Sequence, residues 1–201
     1  LRLFGEGKHR NVDDTPAGGG AGMVLKPNVV GAALDRALAQ QKTPLPMVCL
    51  SPRGTPFTQA KARAWANAGG VTMLCGRFEG IDQRVIDHYQ LEEVSLGDFV
   101  LTGGEIAAQA MIDATVRLLP DILGNKASIA EESHMAGLLE HPHYTRPALW
   151  NGRPIPDVLQ SGHHINIAKW RQEMSQQVTK EKRPDLWAAF QNALGKPDPK
   201  D

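Results

Sequence analysis

Neither sign of charge prevails in this chain: 22 Lys and Arg stand against 22 Asp and Glu in 201 residues. That balance argues against a sequence-indifferent nucleic-acid coat, which carries a global basic footprint. It leaves an RNA substrate open, because a local patch is enough to steer a polyanion. Cysteine is scarce too. Cys49 and Cys75 each close an apolar run and lack Cys-x-x-Cys spacing. A zinc site is therefore not expected, and buried thiols in a reducing compartment are. No apolar stretch approaches the ~20 residues that cross a bilayer, and no signal peptide is expected. The opening Leu1-Arg2-Leu3-Phe4-Gly5-Glu6-Gly7-Lys8-His9-Arg10 has no methionine and neither a strand's alternation nor a helix's period. It reads as mid-protein loop, so the natural N-terminus is expected to lie outside this sequence. The glycine-rich segment from Asp13 to Met23 lacks the Gly-Lys-Ser/Thr ending of a P-loop, which makes nucleoside triphosphate binding a poor fit.

What is present begins with three strand-to-loop exits. Met47-Val48-Cys49-Leu50 runs into Ser51-Pro52-Arg53-Gly54, and Val71–Cys75 runs into Gly76-Arg77-Phe78-Glu79-Gly80. An extended stretch from Leu91 to Leu101 leads to Gly103-Gly104. Glycines at the end of a buried strand leave bare backbone N–H and C=O groups, which is how α/β proteins hold small ligands. Three such exits suggest one composite pocket.

Helices are expected between these strands. Pro27 suits a first helical turn, and Val29, Val30, Ala33, Leu34, Ala37 and Leu38 repeat at helical spacing. Thr55-Pro56 reads as an N-cap with a first-turn proline, opening a helix through Ala60, Ala64, Trp65 and Ala68 that Gly69-Gly70 stops. Another runs from Asp82 to about Tyr89. Gly103-Gly104 opens the longest helix of this part, with Ala107, Met111, Ala114 and Leu118 as its stripe and Pro120 as its end. Alternating strands and helices predict a parallel sheet covered on both faces.

Residues 121–137 turn polar and irregular and read as an interdomain linker. Residues 138–201 read as a small helical domain, with a helix from about His164 to Lys180 and another opened by Arg183-Pro184. Between His163 and Arg183, Lys169, Arg171, Lys180, Lys182 and Arg183 outnumber Glu173 and Glu181. That excess suits phosphates; a solvated helix face explains it equally well.

Five ordered motifs carry a resemblance. Gly18-Gly19-Gly20-Ala21-Gly22-Met23, Leu50-Ser51-Pro52-Arg53-Gly54, Cys75 to Val85, Ser95 to Glu105, and His141-Pro142-His143-Tyr144-Thr145-Arg146-Pro147 follow one another as in bacterial tRNA (guanine-N1-)-methyltransferase, the TrmD type of the SPOUT superfamily. The chain resembles that family from about Lys8 onward. The resemblance implies a SPOUT-type α/β fold in residues 1–120, mostly parallel, short of an N-terminal strand and helix and with a deep trefoil knot in its C-terminal part, followed by a small helical tRNA-binding domain. It implies S-adenosylmethionine as methyl donor and S-adenosylhomocysteine as product, with no metal assigned. It further implies a cytoplasmic homodimer whose active site lies at the subunit interface, and tRNA with G at position 37 as substrate.

The same resemblance assigns residues. Cys49, Leu50, Ser51, Pro52 and Gly54 would form one wall of the donor site. Gly76, Arg77, Phe78, Glu79 and Gly80 would form a second, and Leu96, Gly97, Phe99, Leu101, Gly103 and Gly104 a third, next to the adenine. Glu79 is placed to attract the cationic end. Cys49 and Phe78 stand where the family often has tyrosine. The catalytic carboxylate, an aspartate in the family, falls on Glu132, with Glu131 as a possible substitute; the catalytic arginine falls on Arg117. Without the motifs, Glu132 is a solvated linker residue, Arg117 an ion-pair partner of Asp113, and Phe99 and Leu101 core. Competing functions are a SPOUT enzyme acting on ribosomal RNA or a ribose hydroxyl, and a non-catalytic nucleotide- or RNA-binding module.

Overall fold

A computed structural model describes residues 1–120, 122, 133–134 and 137–194. The chain divides into two compact units, residues 1–123 and 124–201. The first is an α/β layer structure. Its parallel sheet has the order β4-β3-β5, where β3 is Met47–Pro56, β4 Thr72–Cys75 and β5 Glu92–Ser95. A two-residue antiparallel pair, β1 (Asp13–Asp14) with β2 (Val24–Leu25), precedes it.

The strand pattern explains the layers. Successive side chains on a strand point to opposite faces. Cys49 and Leu74 accordingly pack with Val29, Val30 and Leu34 of α1 (Pro27–Ala39) and with Val85 and Ile86 of α3 (Gln83–His88). Val48, Leu50 and Val94 pack on the other face with Trp65 of α2 (Gln59–Asn67) and Ala107, Ala108 and Met111 of α4 (Glu105–Val116). Helices thus cover both faces, as the alternation predicts. Met111 is fully buried, a burial contributing ~1.5–3 kcal/mol.

Several expectations need correction. The N-cap of α2 is Thr58, whose side chain accepts from the Lys61 N–H at 3.3 Å, while Thr55 and Pro56 end β3. Long-range pairing with β5 outweighs the local Thr-Pro signal, and Pro56, at the strand's end, leaves the ladder intact. The extended stretch after Leu91 shortens to Glu92–Ser95, because Ser95 turns the chain. Its hydroxyl donates to the Gly97 carbonyl at 3.0 Å and accepts from the Gly97 N–H at 3.2 Å. The helix opened by Gly104 has 12 residues, one fewer than α1.

The second unit contains a hairpin, β6 (Leu149–Trp150) with β7 (Arg153–Pro154), then α5 (Asp157–Gln160), α6 (His164–Lys182) and α7 (Pro184–Leu194). Thr179 of α6 is fully buried. Its hydroxyl donates to the Ser175 carbonyl at 2.6 Å and accepts from the Leu139 N–H at 2.8 Å, fixing the segment before the hairpin to the helix. Nearby, the Glu140 N–H donates to Ser133 Oγ at 2.9 Å.

Candidate active site

The three strand exits meet. In the first unit a cavity of about 430 Å³ is lined by Cys49, Leu50, Ser51 and Pro52, by Gly76 through Gly80, and by Leu96, Phe99, Leu101, Gly103 and Gly104. Its size lies in the range of small-molecule sites. It sits at the C-terminal ends of parallel strands, where open α/β sheets bind ligands.

Each wall has a local cause. The first is an excursion of β3: Leu50 and Thr55 both pair with Val94, so Ser51–Gly54 leave the ladder and return to the same rung. Gly54 makes the return possible, because a Cβ there would overlap the backbone of Glu93 and Val94. It closes the excursion and does not itself line the cavity. The second wall is a turn with Phe78 at φ 60° and Gly80 at φ 128°. A bulky residue in the left-handed region costs about 1–3 kcal/mol and marks a position the surroundings enforce. Here the Glu79 N–H donates to the Met23 carbonyl at 3.0 Å, and the Leu25 N–H to the Gly80 carbonyl at 3.0 Å.

The third wall folds back onto the second. Arg77 bridges Gly103, the Gly104 N–H donates to the Gly76 carbonyl at 3.0 Å, and Arg77 Nε meets Glu105 Oε1 at 2.9 Å. A Cβ on Gly104 would stand 2.9 Å from Cys75 Cα and 3.3 Å from the Gly76 nitrogen. Only glycine permits that approach. Gly97 likewise lies outside the lining; a Cβ there would reach within 2.7 Å of the Phe99 ring, so its role is to admit the ring.

The lining extends beyond the residues expected from the sequence. Arg53, Glu93 and Ser95 belong to it, and Arg53 Nη2 meets Glu93 Oε1 at 3.0 Å and Gln83 Oε1 at 3.3 Å. Arg53 sits between two assigned residues and was legible by position; Glu93 becomes visible only when β5 is paired with β3. Burial, then the nearby Glu93 charge, pushes the Cys49 thiol up to about 11, and burial raises Cys75 as well. Both stay protonated, which suits walls and not nucleophiles. The Glu105 carboxyl is held low by its own backbone N–H and then by Arg77.

The catalytic assignments are not gathered here. Arg117 is the C-cap of α4, half-buried, and is not among the residues lining the cavity. Glu131 and Glu132 lie outside the described residues. Among the described residues no cluster of three or more His, Cys, Asp or Glu could hold a metal ion, and no helix is long and apolar enough to cross a membrane.

A parallel sheet whose strand ends and glycine-rich loops wrap a cavity of small-molecule size defines a ligand-binding class of α/β protein. Comparison with known proteins narrows the class. The family model described as tRNA (Guanine-1)-methyltransferase TrmD matches residues 1–189. A tRNA (guanine-N(1)-)-methyltransferase of Ruegeria pomeroyi is 63% identical over 191 residues, covering 95% of this chain and 79% of that protein. One from Cereibacter sphaeroides strain KD131 is 64% identical over 199 residues, covering 98% and 80%. A third, from Brucella melitensis, is 55% identical over 190 residues, covering 94% and 77%. The chain belongs to the TrmD family of tRNA (guanine-1)-methyltransferases.

Proposed function

We infer that this protein transfers the methyl group of S-adenosylmethionine to N1 of guanosine 37 in tRNA. The observation that carries the reading is the joining of three glycine-rich strand exits around one cavity, in a chain of this family. The cavity's chemistry fits the donor. Gly104 lets the third wall close against the backbone of the second, Leu96, Phe99 and Leu101 offer apolar surface to an aromatic base, and Glu79 places a carboxylate in the lining for a cation, while Glu93 is paired with Arg53.

When bound, S-adenosylmethionine supplies a methyl group already activated on a sulfonium. The demanding part is the acceptor, since guanine N1 carries a proton and is a poor nucleophile until it leaves. Glu132 takes that proton as the N1–methyl bond forms. Arg117 donates to O6, where negative charge develops. A positioned base contributes ~10²–10⁴ in rate, and one donor to developing charge ~10²–10³. S-adenosylhomocysteine is the product.

Arg117 stands apart from the cavity, which supports a homodimer in which the reacting groups meet at the subunit interface. Exposed apolar residues on α4, Ile106 at 62% and Ile112 at 47%, and Val100 at 80% in the cavity's lining, support such an interface. The family's trefoil knot belongs to this reading, in the C-terminal part of the α/β domain, where Gly103-Gly104 folds back onto Gly76. In this reading residues 1–120 hold the donor, 121–137 link, and 138–201 grip tRNA in the cytoplasm. Exposed Lys180 and Lys182 support the grip, whereas Arg183 is engaged by Asp185 at 2.8 Å and Lys169 lies 3.9 Å from Glu173.

The test uses methyl-labelled S-adenosylmethionine with unmodified tRNA. Label is expected as N1-methylguanosine, and replacing G37 by A abolishes it. Glu132→Gln is expected to keep donor affinity and lose about 10²–10⁴ in turnover. Label in ribosomal RNA alone sinks the reading, and full turnover in Glu132→Gln removes Glu132 from the chemistry.

A further inference from the structure

Among the described residues of the second unit, the hairpin is the least covered structure. Residues 143–154 are exposed throughout, with Leu149 at 63% and Trp150 at 64%. Two-stranded hairpins are marginal in water without a covering layer. This one is held by its turn: Asn151 and Gly152 have φ of 48° and 72°, the positive pair that a two-residue hairpin loop requires. An ordered arm that displays a tryptophan calls for a partner.

The register identifies what the arm displays. Trp150 pairs directly with Arg153, and Leu149 with Pro154. Directly paired residues share a face, so one face presents an indole beside a guanidinium. From His141 to Pro156 the sequence contains Arg146 and Arg153 and no Asp or Glu. Tyr144, 49% exposed, stands at the base of the arm with its ring 6.1 Å from that of Trp170. A flat exposed ring next to a cation, on an arm without acids, matches an unstacked base and its phosphate.

We propose that the β6–β7 hairpin is a stacking platform for a single-stranded nucleotide of the RNA substrate, with Trp150 receiving the base and Arg153 the adjoining phosphate. The proposal rests on the tRNA reading above and names the surface that meets the RNA. Because the ring contact tolerates any base, the arm contributes affinity and leaves the choice of guanine to the groups that meet its N1 and O6.

The test compares the whole protein with its Trp150→Ala, Trp150→Phe and Arg153→Ala variants. Kd for unmodified tRNA is read by filter binding over a salt series, Kd for S-adenosylmethionine by calorimetry, and mass by sedimentation. Trp150→Ala is expected to raise the tRNA Kd about tenfold, with Trp150→Phe within about twofold of wild type. Arg153→Ala lowers the salt slope by about 1. Donor affinity and mass stay unchanged. An unchanged tRNA Kd in Trp150→Ala, while the wild type binds and methylates tRNA, overturns the platform and leaves the tRNA reading standing. A change in mass identifies a second copy of the chain as the occupant and overturns it too. A wild type that neither binds nor methylates tRNA defeats the underlying reading itself.

Discussion

The two units of this chain are stabilised differently. Among the described residues, every buried apolar side chain lies between Val12 and Met111, in the first unit, arranged on both faces of a parallel sheet. The second unit buries one described residue, Thr179, and it is polar. Close packing fixes shape, and a fixed shape is what a main-chain cavity needs, since the walls must hold to within a few tenths of an ångström. A unit whose helices pack through half-buried rings such as Trp187 on Phe190, with Tyr144 and Trp150 exposed, is better suited to mould itself to a large polar surface. The difference suggests a division of labour, with the donor recognised by a rigid cradle and the RNA by an adaptable grip.

The strongest way to break that contrast is Gly104→Val. The new side chain meets backbone atoms of Cys75 and Gly76, which cannot yield as a side chain does. Overpacking of ~1–3 kcal/mol corresponds to a loss of about 5- to 150-fold in donor affinity by calorimetry, with tRNA binding retained. Gly103→Val sharpens the point, because its neighbours are the movable ends of Arg77 and Glu105, and it is expected to lose less. Equal losses at the two positions would mean that the cradle is not set by the main chain.

A smaller effect is expected from Thr179→Val in the second unit. It strands the Leu139 N–H and costs about 1–3 kcal/mol, read as a lower unfolding midpoint, with Thr179→Ser close to wild type. Donor affinity stays as it was if the units divide the work as described. The smallest effect concerns alkaline pH in the first unit. Tyr89 donates to Asp35 Oδ1 at 2.7 Å and to the Gly31 carbonyl at 3.0 Å. Burial, then Asp35, pushes its phenol up to about 12 from an ordinary 10. A raised folded value means the contribution is complete below about pH 10 and fades as pH rises toward about 12. Tyr89→Phe is expected to flatten that part of the stability profile, and an identical slope in wild type and variant would contradict the assignment.

Much of this was legible in the chain. Pro27 and Pro184 announced their helices, and the glycines after three apolar runs announced the walls of one cavity. What escaped depends on distant pairing. Thr55-Pro56 imitates a helix start, and only the return of β3 to Val94 shows it to be strand. Gly54 and Gly97 look like ligand contacts in sequence because glycine marks both a lining and a tight closure. Glu93 cannot be placed beside Arg53 until β5 is known to lie against β3. The proposed roles of Arg117 and Glu132 rest on family motifs alone, since nothing local in the sequence sets either residue apart from a solvated one.

Hydrogen exchange with and without S-adenosylmethionine tests the central claim most directly. Slowed exchange at amides of residues 76–80 and 96–104, with residues 143–155 unchanged, is the predicted result. Protection confined to the second unit, or absent from those two loops at saturating donor, would contradict it.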